Sequence, residues 1–468
     1  MSLLAALPIA LVAVGLGLAA GRLASGRIAW RPQAPPVGLG VGVAFAAGLA
    51  ALHVALYGAS IAGWRWSDGA LACLGALGLA ALVWGVLGTG RRRGGPGPGW
   101  GDVIALVALA VLAWHALELR IVLSDFVYHW GLKGEKFFLH RGVDWSLLHG
   151  FGAWRTHPDY PTLLPELFAL TAILRGGFAP EPMMVWSVVF ALALVAAGRD
   201  ALGRGGAPPW AVQAGTAACG LLAAGFALSH GLVGGADWIP AWSLLLALPA
   251  LTGSPDQGAD WRIGAAAAVA AAGKMEGVPL GFFLVAVHLL RALRAGRMRG
   301  GIAAARTLAR AGLLPALVVL PWIVQSLRLH LFQATNSGAF SLERLGIVGR
   351  TLADVVLART WYGLPLLLLA VPWLLGRRRV RSAAIVLVLQ CLFILYAWAS
   401  PPIDTELLVR WSADRLFFQL LPGLVVLILL EAAGDPATRL QAESDAAILS
   451  GRSPGEIRVR PIRLDEPS

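Results

Sequence analysis

A chain of 468 residues that is 57% hydrophobic and only 14% charged, with a mean hydropathy of +0.71, is not a soluble domain. Apolar runs of about 20 residues recur from end to end, the length that crosses the hydrocarbon core of a bilayer as a helix. The net charge of +12 does not point to nucleic acid, because the cations sit in short clusters between apolar runs and build no single basic face.

The expected fold is all-α and polytopic. Candidate spans run over 4–21, 37–57, 70–88, 102–119, 183–199, 210–230, 238–252, 262–273, 277–294, 312–331, 362–376, 382–400 and 414–431, thirteen in all. Those at 238–252 and 262–273 are short and read as broken or tilted. Arginines group at Arg22, Arg27 and Arg31, at Arg91 to Arg93, at Arg199 and Arg204, from Arg291 to Arg310, and from Arg377 to Arg381. Arginine-rich loops stay in the cytoplasm. Placing all of these there puts the N-terminus outside and the C-terminus inside, and requires that 161–175 not cross. That segment is short, begins at Pro161 and carries Glu166, so it reads as an interfacial or re-entrant helix. The first apolar run lacks a basic start and reads as a span, not a signal peptide. The chain thus divides into accessory N-terminal helices over 1–90, a Gly/Pro/Arg cytoplasmic linker over 91–101, a membrane core over 102–432 with a long outer loop at 120–182, and a cytoplasmic tail over 433–468 whose polarity suits partial disorder.

The cysteines, Cys73, Cys219 and Cys391, lie far apart in or beside apolar segments and form neither a redox pair nor a metal spacing. Of 38 cationic residues only three are lysine: Lys133, Lys136 and Lys274. In a chain whose default cation is arginine, a compact ammonium is singled out at these places. Two of them belong to the stretch from Ser124 to Lys136. At about 100° per residue, Asp125, His129, Lys133 and Lys136 fall within an arc of roughly 80°. An acid near the membrane end, with cations beyond it, suits a site that takes a proton on one group and holds a phosphate on another.

Further polar groups fall on the same side. The outer loop continues to His157-Pro-Asp159-Tyr-Pro161. Outer turns follow at Gly234-Gly-Ala-Asp237-Trp238, at Gly273-Lys-Met-Glu-Gly277, and from Asp404-Thr-Glu406 through Trp411-Ser-Ala-Asp-Arg415. Ionisable groups at membrane depth are costly and usually functional. Each residue has a plainer role to set against this. Asp237 also suits a helix cap ahead of Trp238. Arg415 has Asp414 beside it, and Glu276 has Lys274 two residues away. His129 either bonds Asp125 or sits at the interface. His157 and Asp159 read as an acid–base pair, with too few ligands at suitable spacing for a metal. Trp130, Trp145, Trp154, Trp238, Trp361 and Trp411 read mainly as an aromatic belt.

The order of these segments resembles the GT-C superfamily of integral-membrane glycosyltransferases. More narrowly, it is similar to the bacterial protein-mannosyltransferase and aminoarabinose-transferase group. The resemblance covers about 102–420 and rests on Asp125 opening a long outer loop, on the His157-Pro segment, on Asp237 in the next outer turn, and on Gly-Lys274-Met-Glu276-Gly. Met275, where asparagine is frequent, and Asp159 depart from the family pattern. The resemblance implies a GT-C-type bundle with juxtamembrane helices in its first outer loop. It implies a sugar donor on a polyprenyl phosphate, and transfer with inversion to a hydroxyl or amine of a glycolipid, glycan or protein acceptor. Asp125 would be the general base and Asp237 would orient the reactants. Lys133, Lys136, Lys274 and Arg415 would stand towards the lipid phosphate, with His129, His157, Asp159 and Glu276 around the substrate. No cofactor is implied. The location would be the bacterial inner membrane, with the site on the periplasmic face.

Three other classes compete. A secondary transporter needs ionisable residues at mid-span and paired broken helices, whereas the charges here lie at span ends. A lipid-glycan polymerase or ligase shares the outer-face chemistry on another fold. A non-catalytic assembly protein needs none of these residues.

Overall fold

In lipid a backbone must satisfy its own polar groups, which leaves the α-helix as the way to span. In the computed structural model, residues 2–24, 41–87, 97–118, 125–150, 156–332, 339–358, 364–401 and 403–434 are described, and among them there is no strand. The helices are α1 (Ser2–Ala24), α2 (Val41–Ile61), α3 (Asp68–Leu87), α4 (Trp100–Glu118), α5 (Gly131–His140), α6 (Trp145–His149), α7 (Leu163–Arg175), α8 (Pro180–Met183), α9 (Val185–Arg204), α10 (Pro209–His230), α11 (Trp238–Thr252), α12 (Gln257–Gly273), α13 (Gly277–Arg294), α14 (Gly301–Arg328), α15 (Leu342–Ala358), α16 (Val371–Gly376), α17 (Arg381–Ala399) and α18 (Thr405–Ala432). Most of the 91–101 linker, Arg27, Arg31, Arg91 to Arg93, Trp154, Trp361 and the tail beyond Gly434 lie outside the described residues.

Among the described residues eight helices are long and apolar enough to cross a membrane: α2, α4, α8 with α9, α10, α13, α14, α17 and α18. Shorter apolar helices lie within α1 and α3, at α11, and at Leu367–Gly376. The chain is therefore a helical, multi-pass membrane protein. At about 1.5 Å per residue, the 15 residues of α11 reach about 22 Å, less than the roughly 30 Å of a hydrocarbon core. Yet α11 and α12 are the most enclosed helices of the fold. Every residue from Trp238 to Leu248 is buried, as is every one from Ile263 to Gly273. Short helices are tolerable here because other helices, not lipid, surround them.

Three segments take their form from the packing. The segment 161–175, expected as an interfacial or re-entrant helix, is α7, with ten successive residues, Leu163 to Ala172, buried among its neighbours. Its polar residue is absorbed by the fold, since Glu166 accepts from Thr162 Oγ1 at 2.7 Å and lies 2.9 Å from His53 Nδ1 on α2. The stretch 404–415, read as an outer turn, is the first part of α18. Asp404 caps it by accepting from the Leu407 amide at 3.1 Å, and Glu406 pairs with Arg410 one turn on. Third, α15 lies in a segment that holds no long apolar run. Leu345, Val348, Leu352 and Val355 recur at helical spacing, and Val348 and Val355 are buried.

The polar contacts sort to the two ends of the bundle. At one end the arginine clusters engage one another's helices. Arg199 pairs with Asp102, Arg262 with Asp200, and Arg297 bidentately with Asp260 at 2.9 Å. Arg379 donates to the carbonyls of Leu430 and Gly434. At the opposite end lie the turns 234–238 and 273–277 and the segment 125–161. Here α2 is joined to that segment as well: the Val143 amide donates to Ser60 Oγ at 3.1 Å, and Trp145 Nε1 to the Ser60 carbonyl at 3.2 Å.

Candidate functional site

Asp125 opens a single π-helical turn, Phe126–Trp130, that runs directly into α5. Its carboxylate forms an ion pair with Arg415 of α18. The neighbouring Asp414 had been the simpler partner for that arginine. A helix sends adjacent side chains about 100° apart, so Arg415 turns to the loop while Asp414 faces elsewhere.

Behind this pair sits a second one. Lys274 Nζ donates to Asp237 Oδ1 at 2.6 Å and lies 3.2 Å from Glu276 Oε1. Gln419 Nε2 donates to the same Asp237 oxygen at 2.9 Å, and Gln390 Nε2 to the Glu276 carbonyl at 3.0 Å. Asp237 precedes α11, but its side chain makes no capping bond. The capping role is thus replaced by the ion pair. Gly277 makes the turn feasible: a Cβ there would lie 1.9 Å from the Ala270 carbonyl, so only glycine lets α13 start against α12. The close start brings both Lys274 and Glu276 to Asp237.

The third group surrounds Lys133, which is fully buried. Its ammonium donates to the His157 carbonyl at 2.7 Å and lies 5.4 Å from the Trp130 ring and 6.0 Å from the Tyr160 ring. His157 holds a left-handed backbone, φ 47°, which turns that carbonyl towards α5. The His129 ring meets His157 edge-on at 4.3 Å, and Tyr160 packs on its other side at 4.7 Å.

Electrostatics join the three groups. Burial pushes the Lys133 ammonium down to about 7, with Asp159 only partly offsetting it. Burial, with His129 and Lys133 nearby, holds His157 at about 3, so this imidazole is neutral. For Asp237, burial works towards the neutral acid, but Lys274, Arg415 and two hydrogen bonds outweigh it and hold the carboxyl below its usual range. Burial likewise disfavours the Lys274 ammonium, and Asp237 with Glu276 more than compensates. Burial together with Glu276 and Asp159 raises the Tyr160 phenol far above its usual value, leaving it a hydrogen-bond donor.

Nine of the ten residues singled out from the sequence thus converge: Asp125, His129, Lys133, His157, Asp159, Asp237, Lys274, Glu276 and Arg415. Lys136 does not. It is half-exposed, one turn past the buried face that carries Lys133 and Phe137, and joins none of these contacts. Lys133 and Lys274 each already hold protein partners, the His157 carbonyl for the first and Asp237 with Glu276 for the second. The aromatic belt is also redrawn. Trp130 and Trp238 are fully buried and Trp145 is partly so, while Trp411 is 71% exposed. Sequence reasoning missed Tyr160, Gln390 and Gln419. The glutamines were visible as polar residues within apolar runs, a signal that a search confined to ionisable groups passes over.

Several buried atoms of the site have no hydrogen-bond partner among the described residues: Arg415 Nε, His157 Nδ1, Asp237 Oδ2, Glu276 Oε2, Gln390 Oε1 and Gln419 Oε1. Buried polar atoms are rarely left so, and a set offering mostly acceptors suits a ligand rich in hydroxyl donors. Among the described residues no three His, Cys, Asp or Glu side chains are grouped to hold a metal ion. Compared with protein-family models, with characterised proteins and with solved structures, the chain matches none.

Proposed function

We propose that this protein is a membrane glycosyltransferase of GT-C type, working on the periplasmic face of a bacterial inner membrane. It would move a sugar from a polyprenyl-phosphate donor to an acceptor hydroxyl or amine. The observation that carries the reading is the convergence of four distant segments on one buried network with unfilled donor and acceptor atoms. A scaffold gains nothing from buried polar atoms it leaves unpaired, whereas a polar substrate fills them.

In this reading the residues divide the chemistry as follows. The acceptor oxygen or nitrogen attacks the anomeric carbon, and the bond to the phosphate oxygen breaks with inversion. Asp125 takes the acceptor proton. It is a quarter exposed or less and is fixed by Arg415. The Arg415 Nε–H, buried and unpaired, is the donor best placed to meet charge developing on the departing phosphate. Asp237, Glu276, Gln390 and Gln419 accept from sugar hydroxyls. Lys274 orients Asp237 and Glu276, and Lys133 fixes the His157 turn, so these two lysines act through their neighbours.

The test is transfer of labelled sugar from a polyprenyl-phosphate donor pool in membranes, comparing wild type with Asp125→Asn at equal protein level. Transfer lost in the variant supports the reading. Equal transfer in both overturns the role of Asp125, and none in either with donor present overturns the reaction.

A further inference from the structure

A second cleft lies away from the site just described. It encloses about 420 Å³ between α15 and the start of α18. One wall is a helical stripe of α15, Ile347, Arg350, Thr351 and Asp354, and the other is Asp404, Thr405 and Glu406. Its volume falls within the usual range for a small-molecule pocket, about 300–1,000 Å³.

The carboxylates alone would not make a site, since Arg410 already pairs with Asp354 and Glu406. The threonines are the second observation. Thr351 and Thr405 are 3% and 5% exposed, and neither hydroxyl makes a hydrogen bond among the described residues, though both line the cleft. An unpaired hydroxyl on a nearly buried side chain that lines a cleft is free to meet a polar partner there. Arg350 likewise makes no ion pair among the described residues.

The mixture of groups names the partner. A cation would meet the Arg350 guanidinium, and an anion would meet three carboxylates. A neutral polyol suffers from neither, because each hydroxyl both donates and accepts. Carboxylates take its protons, Arg350 gives to its oxygens, Thr351 and Thr405 do either, and Ile347 offers an apolar wall. We infer that this cleft is a saccharide-binding subsite. Ten residues of α18 separate Thr405 from Arg415, about 15 Å along the helix. If the glycosyl-transfer reading holds, the cleft takes a sugar of a glycan acceptor whose reacting end reaches Asp125; that assignment rests on the reading, while saccharide binding does not.

The experiment is saturation-transfer NMR on the full chain in lipid nanodiscs. The probes are glucose, mannose, N-acetylglucosamine and maltose, with ethanolamine and acetate as charged controls. We expect saturation of at least one sugar, a loss of most of that signal in Thr351→Val/Thr405→Val, and no change in Lys136→Gln, which lies outside both sites. Arg350→Met, altered at an exposed position, repeats the test should the double variant fold poorly. No sugar signal in wild type, or a signal untouched by both variants, overturns the inference. Saturation of ethanolamine alone also overturns it, leaving an acidic surface. The readout is sugar binding at the cleft and not transfer, which keeps the outcome separate from that of the transfer assay.

Discussion

Replacing Lys274 with Met tests whether the buried pair is what holds the site together. Asp237 is 1% exposed, and Lys274 supplies the strongest of its contacts, at 2.6 Å. Without it the carboxylate keeps one hydrogen bond, from Gln419. Stripping one partner from a buried ion pair costs about 3–5 kcal/mol, because the remaining charge stays desolvated. The converse change, Asp237→Asn, is milder: Lys274 retains Glu276 at 3.2 Å, and the loss is about 1–3 kcal/mol. The two changes together remove both buried charges, so Asp237→Asn added to Lys274→Met should restore about 1–3 kcal/mol. Reversible unfolding in mixed micelles, followed by the fluorescence of the 19 tryptophans, measures all four proteins. Acid should narrow the deficit of Lys274→Met, because an unpaired buried carboxylate escapes its cost by taking a proton. The double variant, with no carboxyl at 237, should lack that response. A Lys274→Met protein within about 1 kcal/mol of wild type at pH 7 would refute the reasoning. So would a double variant less stable than Lys274→Met alone.

Three further outcomes are expected. In the fold Lys133 gives up its proton near 7, whereas unfolded it keeps the proton to about 10.5. The unfolded chain therefore binds more protons between those values, stability rises with pH across that window, and Lys133→Met should flatten the rise in apparent melting temperature from pH 7 to 9. His53→Ala leaves Glu166 buried with only Thr162 as partner; hydrogen exchange over 163–175 should quicken, and Glu166→Gln in the same chain should restore much of the protection. A Cβ at Gly48 would sit 1.6 Å from the Ala13 carbonyl, whereas one at Gly58 meets nothing within 4 Å. Gly48→Ala should accordingly force α1 from α2 and lower the unfolding midpoint. Gly58→Ala should leave the midpoint unchanged or raise it, with a gain in stability of up to about 1 kcal/mol.

Much of the architecture was legible because lipid imposes one simple rule: a long apolar run must become a helix. Hydropathy and loop arginines were enough to read a polytopic bundle whose polar residues collect at two ends, and α9, α10, α13 and α17 begin and end within a few residues of the runs that foretold them. Helical spacing also put Asp125, His129 and Lys133 on a shared face, and His157 does lie against the latter two. Pairings were another matter. Arg415 chose Asp125, 290 residues away, over its own neighbour. Asp237 chose Lys274 over a backbone cap, and Glu166 was taken into the interior by His53. A partner is selected by which helix packs beside which, and the chain's local pattern holds no record of that. The same holds for depth. The apolar character of α11 and α12 is visible residue by residue, but that they form the enclosed centre, and so bury Asp237 and Lys274 at their ends, follows only from the helices packed around them.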